Sequence, residues 1–146
     1  MIRLVTDDNI YQAAVLHSAA WKQAHSSFCT PEFVAIHTPE RQMGYLNSVL
    51  EKGEKLYILF EMKGPVGIVS ISENLIENLY VLPEEQGKGY GTKLLRFAIE
   101  QCKGHATLWV LNNNLGARRL YTRLGFTETG EVKHLSETLT EIEMRL

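Results

Sequence analysis

The stretch that decides the fold is Leu79-Tyr80-Val81-Leu82-Pro83-Glu84-Glu85-Gln86-Gly87-Lys88-Gly89-Tyr90-Gly91-Thr92. Its first four residues close an apolar strand that begins near Leu75, and Pro83, which cannot donate to a ladder, ends it. Gly87, Gly89 and Gly91 then let the backbone approach a partner closely. A helical pattern starts at Tyr90 or Gly91 and runs to Lys103. The start of a helix offers unpaired N–H groups and a partial positive charge, which together suit a phosphate. A tight strand-to-helix turn without a ligand would read the same from glycines alone.

Charge separates the two readings. From Gln86 to Arg123 the chain carries seven basic residues and one acid, a net +6, while the remainder nets −8. A polyanionic ligand explains such a concentration beside a glycine loop, although a solvated basic helix face is the plainer alternative. Two other phosphate binders fail on spacing. No G-x-x-x-x-G-K-[ST] occurs. The glycines read G-x-G-x-G instead of G-x-G-x-x-G, and the next strand ends Val110-Leu111-Asn112 without the acid that a dinucleotide fold needs.

Working outward, Ile2 to Val5 reads as a short strand, followed by a helix from about Asp8. Thr38-Pro39-Glu40 is a helix start, with Thr as cap, Pro at preset φ and Glu at the positive end. That helix runs to about Leu50. Lys55–Met62 and Val66–Ser72 form a hairpin around Lys63-Gly64-Pro65, and Leu75–Leu82 is the next strand. After the loop and helix come a strand at Ala106–Leu111, a helix at Leu115–Leu124 stopped by Gly125, and two terminal strands. The order βααβββαβαββ predicts an α/β chain, a mixed central sheet flanked by helices. No period repeats, so residues 1–146 read as one domain.

Composition narrows the class. At 146 residues the chain can bury a sizeable core, and 45% hydrophobic with 22% charged residues is ordinary for a globular protein. A net charge of −2 gives no global attraction to nucleic acid or an anionic membrane. No apolar run approaches the roughly 18 to 20 residues that span a bilayer, and acids follow the N-terminus at once, so a cytoplasmic location is expected. Cys29 and Cys102 suggest no disulfide framework or nucleophile. The five histidines, His17, His25, His37, His105 and His134, show no metal-binding spacing, so no metal is predicted.

Two blocks carry a family resemblance. Gln86, Gly89 and Gly91 fit [QR]-x-x-G-x-[GA], the pyrophosphate signature of the GNAT superfamily of N-acetyltransferases. Val110, Asn114, Ala117, Leu120, Tyr121, Gly125 and Phe126 fit its strand–helix pattern V-x-x-x-N-x-x-A-x-x-L-Y-x-x-x-G-F. The chain therefore resembles that superfamily, closely from Val66 to Leu146. From Tyr11 to Tyr45 it is similar to small bacterial members without assigned acceptors. The resemblance implies a GNAT fold and acetyl-CoA as co-substrate. Leu79 and Val81 would pair with the pantetheine arm, and a bulge near Tyr80 would aim an N–H at the thioester carbonyl. Gln86, Gly87, Lys88, Gly89, Tyr90, Gly91 and Thr92 would hold the pyrophosphate. Ala117 and Arg123 of the last helix would face the coenzyme. Asn114 would orient the pantetheine amide, cap its helix, or do both.

Tyr121 matches the family's general-acid tyrosine. A phenol of pKa about 10 is near a thiol's and suits protonation of the leaving sulfur, whereas a packing role would anchor Leu120 and Leu124. Glu77 corresponds to the proposed base of amino-sugar phosphate relatives. Period 2 puts it on the face of Leu79 and Val81. A solvated edge carboxylate, Glu73, or ordered water are the alternatives. His17 and Trp21 share a helix face as packing residues or, with Phe28, as acceptor-site lining. Ribosomal-protein acetyltransferases of the superfamily carry L-E-V where this chain has Leu108-Trp109-Val110, which favours a small-molecule amine acceptor. Acetylation of a protein N-terminus or lysine, and a non-catalytic acyl-CoA-binding module, are the other readings. A homodimer is expected from the resemblance only.

Overall fold

The computed structural model describes residues 1–146. Its elements are β1 (Ile2–Leu4), α1 (Ile10–His25), α2 (Pro31–Ala35), α3 (Pro39–Glu51), β2 (Lys55–Glu61), β3 (Gly64–Ser72), β4 (Leu75–Val81), a 3-10 turn (Pro83–Glu85), α4 (Tyr90–Gln101), β5 (Thr107–Leu111), α5 (Leu115–Arg123), β6 (Thr127–His134) and β7 (Thr140–Arg145). The expected order holds with one helix added. That helix, α2, starts at Thr30-Pro31-Glu32, the same signal that starts α3. Thr30 Oγ1 accepts from Phe33 N and Thr38 Oγ1 from Arg41 N, each at 3.2 Å. α2 buries none of its five residues, so no apolar stripe announces it in the sequence.

The strands form one sheet in the order β1-β2-β3-β4-β5-β7-β6, with β4 and β5 its only parallel neighbours. α4 is the crossover between those two, as a parallel pair requires. Two clusters line the faces. On one, Leu94, Leu95 and Ala98 of α4 and Tyr121 of α5 pack on Val69, Ile71, Ile76, Leu108 and Val110. On the other, Ala13, Ala14 and Leu16 of α1 and Leu46 of α3 pack on Leu56, Ile58 and Ile68. β3 is covered on both faces, which is why Val66–Val69 reads as a continuous apolar run and not as an alternation. Truncating fully buried Leu94 or Leu46 to Ala would cost roughly 2–5 kcal/mol. Gly67 sets how closely α4 can sit, because a Cβ there would lie 2.6 Å from Leu94 Cδ1 and 3.1 Å from the Tyr80 carbonyl oxygen.

Candidate active site

The site begins where the sheet comes apart. β4 pairs with β5 only through Leu75–Thr107 and Ile76–Leu108. Beyond Ile76 the strands diverge into a cleft of about 950 Å³. Leu82 N donates to Val66 O at 2.9 Å, so alternation turns the polar groups of Val81 away from β3 and toward the cleft. Leu79, Tyr80 and Val81 line it.

A bulge lies in β4. Ser70 pairs with Glu77 and Ile68 with Tyr80, so Asn78 and Leu79 together oppose Val69. Asn78 takes a φ of 51°, a left-handed conformation that asparagine tolerates. This bulge corrects the predicted placement of Glu77. The extra residue breaks the period of two, and Glu77 shares the α1/α3 face with Ser70, Ile68 and Tyr80, opposite to Val81. Glu77 still lines the cleft, through the opening between β4 and β5. Its charge, after the larger effect of burial and against a hydrogen bond to Asn78, pushes the Tyr45 phenol up.

The glycine loop is a conformational device. Gly87 and Gly89 have φ of 79° and 87°, and Gly89 is the residue before the first turn of α4. Gly87, Gly89, Tyr90, Gly91 and Thr92 line the cleft. Lys88 does not; it turns outward and pairs with Glu85 at 2.8 Å. The Gln86 side chain lines the cleft yet is engaged within the protein, donating to Val81 O at 3.1 Å and to Gln23 Oε1 of α1 at 3.0 Å. Of the basic excess, Lys93 pairs with Glu61 and Arg118 with Glu128. Arg119 and Arg123 remain on the cleft wall, Arg123 donating to Thr92 Oγ1 at 3.4 Å.

On the far wall, Asn114 caps α5 by accepting from Ala117 N at 3.2 Å, and both residues line the cleft. Tyr121 is on its floor, buried, with burial pushing its phenol up to about 12. Of the acceptor-side residues only Phe28 lines the cleft. Trp21 is instead sandwiched between the rings of His25 and His37, at 3.9 and 3.5 Å. His17 lies beneath the cleft, edge-on to Tyr80 at 5.0 Å, with Nδ1 taking a hydrogen bond from Gln42 Nε2 at 2.7 Å. Burial, chiefly, pushes its pKa down to about 4, so the ring is neutral and its buried Nε2 has no hydrogen-bond partner. No group of three or more His, Cys, Asp or Glu side chains converges on a metal-sized site.

The pattern of the Acetyltransferase (GNAT) family matches residues 16–126. The chain belongs to that family. Among curated relatives, the uncharacterized N-acetyltransferase YobR of Bacillus subtilis is 31% identical over 124 residues, covering 76% of this chain and 50% of YobR. An uncharacterized N-acetyltransferase of Methanocaldococcus jannaschii is 34% identical over 61% of this chain and 46% of its own length. The chain thus spans about half the length of these two relatives. Among solved structures, the PaiA N-acetyltransferase of Thermoplasma acidophilum in complex with coenzyme A superposes with a TM-score of 0.73, at 18% identity, over 98% of this chain and 96% of that one. YncA of Salmonella typhimurium with its cofactor acetyl-CoA gives 0.68 at 20% identity, over 100% and 92%. These likenesses show the GNAT fold, and the split between β4 and β5 is the feature around which this GNAT chain builds its cleft. Gln23, His25, Arg119 and Glu141 also line that cleft. None was among the predicted site residues, because no motif marks these four and each reaches the site only through folding. No helix is long and apolar enough to cross a membrane.

Proposed function

We propose that the chain transfers an acetyl group from acetyl-CoA to a primary amine of a small molecule, by direct attack within a ternary complex. The observation that carries the reading is the split between β4 and β5, with the N-terminus of α4 at one end and the Tyr121 hydroxyl on its floor. The pantetheine arm takes the place of the missing strand pairing along Leu79 and Val81. The pyrophosphate meets the free N–H groups at Gly89–Thr92, and Arg119 and Arg123 supply opposite charge. The neutral amine attacks the thioester carbon, and the N–H groups of the bulged strand stabilise the oxygen that becomes negative. When the C–S bond breaks, Tyr121 protonates the thiolate, and the new amide nitrogen loses a proton to Glu77 or to water. A phenol raised by burial stays protonated at neutral pH, as a general acid must.

Titration calorimetry with acetyl-CoA tests the binding half, and release of free thiol against a panel of amines tests the transfer half. The panel should include peptides with a free α-amine and a lysine side chain. We expect binding, and thiol release with small amines above that with peptides. Binding without thiol release from any amine would make the chain an acyl-CoA-binding module. Faster release with peptides would make its acceptor a protein.

A further inference from the structure

Ladder register brings four side chains to one place at the edge of the cleft. Leu108 and Val110 are buried under α4 and α5, so Trp109 points to the opposite face of the sheet. Leu111 pairs with Glu141, and Glu141 with Lys133, which puts Glu141 and Lys133 on that same face. Glu77, next to core-facing Ile76, points to that face as well. They line a cavity of about 250 Å³ that opens beside the cleft and shares Glu77, Asn78, Tyr80, Trp109 and Glu141 with it. The one cation among its lining residues is Lys133, whose Nζ stands 4.0 Å over the Trp109 ring. Lys133 belongs to an edge strand exposed along its whole length, so its long stem is free to leave.

Resting on the acetyl-transfer reading above, we infer that this cavity is a seat for a second positive charge on the acceptor, and that Lys133 is its resident placeholder. An aromatic face with two carboxylates at the rim and no fixed cation but a displaceable lysine recognises an ammonium group. The acceptor class is then a diamine or longer cationic amine. One nitrogen is delivered to the thioester while the other takes the place of the lysine ammonium on Trp109. An anionic amino sugar would set its phosphate against Glu77 and Glu141.

The experiment has a binding arm and a turnover arm. Binding of 1,4-diaminobutane and of n-butylamine to the protein loaded with coenzyme A is measured by calorimetry. The diamine should bind at least tenfold more tightly. That preference should shrink to threefold or less in Trp109→Leu, and Lys133→Ala should strengthen diamine binding severalfold. Lys133→Ala alters an exposed strand position, so it reports on the seat even if Trp109→Leu folds poorly. Equal affinities for the two amines, or an unchanged diamine affinity in Lys133→Ala, would overturn the seat. In the turnover arm kcat/KM for the two amines should differ in the same direction. Acetylation of both at equal rates defeats this inference and leaves acetyl transfer standing. Tight diamine binding with no thiol release does the reverse.

Discussion

The Tyr45 hydroxyl donates to Asn78 Oδ1 at 3.1 Å, tying α3 to the bulge of β4. Asn78 passes the link on, its Nδ2 donating to buried Ser70 Oγ at 2.9 Å. The residue with the left-handed φ is thus held by its own side chain from two elements. Asn78→Ala removes both bonds and puts a Cβ residue that favours other conformations at φ 51°. We expect a loss of roughly 2–4 kcal/mol. Asn78→Gly keeps the φ and should recover part of it. Urea unfolding of the two variants separates conformational strain from hydrogen bonding, and equal losses would assign the whole effect to the bonds.

Tyr121→Phe keeps the ring beside Phe126 and removes only the hydroxyl. It should lower kcat about 10- to 1,000-fold with acetyl-CoA affinity nearly unchanged. Because burial holds the phenol at about 12, the wild-type pH profile should show no alkaline limb from this group below pH 10 or so. Steady-state kinetics and calorimetry check both halves. Full activity in the variant would return Tyr121 to packing.

Gly91 is the glycine of the loop with an ordinary φ, and a Cβ there would lie 3.5 Å from Leu120 Cδ2 and 3.9 Å from Val81 Cγ2. Gly91→Ala should therefore fold and bind acetyl-CoA. Gly91→Val adds two methyl groups to the same gap between α4, α5 and the end of β4. It should weaken acetyl-CoA binding at least tenfold while the circular dichroism spectrum is retained. Unchanged affinity would remove the first turn of α4 from the pyrophosphate site.

His17 makes stability depend on pH. Its pKa falls from 6.5 in the unfolded chain to about 4 in the fold, so between those values the unfolded chain binds more protons. Stability is then full above pH 6.5, declines as the pH falls, and is lost through about pH 4. The total is on the order of 3 kcal/mol at about 1.4 kcal/mol per unit. His25, also lowered, chiefly by burial, adds in the same direction. His17→Gln should flatten the profile, as read from urea midpoints between pH 4 and 7. An unchanged slope would assign it to other groups.

The strand–loop–helix stretch was legible because its signals are local. Pro83 and the alternate glycines specify a break, a turn and a helix start within a dozen residues. Helix α2 was as legible as α3, since both open on Thr-Pro-Glu, but its five residues carry no periodicity to draw the eye. The face of Glu77 was not legible. A period of two holds only while pairing is regular, and the slip between Ile68 and Ser70 is set by a neighbouring strand. The cavity at Trp109 was hidden for a related reason. Lys133 and Glu141 reach it through antiparallel register, and 24 residues of sequence separate Trp109 from Lys133.

The bulge makes β4 a strand of two parities. Before it, even-numbered residues such as Ile76 look toward α4 and α5; after it, odd-numbered ones such as Leu79 and Val81 do. Within five residues the strand therefore sets Glu77 on the α1/α3 face and Leu79 and Val81 on the α4/α5 face. A deletion of Asn78 would restore a single parity without moving any of these faces, because Leu79 would then stand alone opposite Val69 and Glu77 would still look away from α4. What it would remove is the left-handed residue, its bonds to Tyr45 and Ser70, and the bend they hold in the strand beside the cleft. The extra residue shapes the path of the strand; the alternation would survive without it.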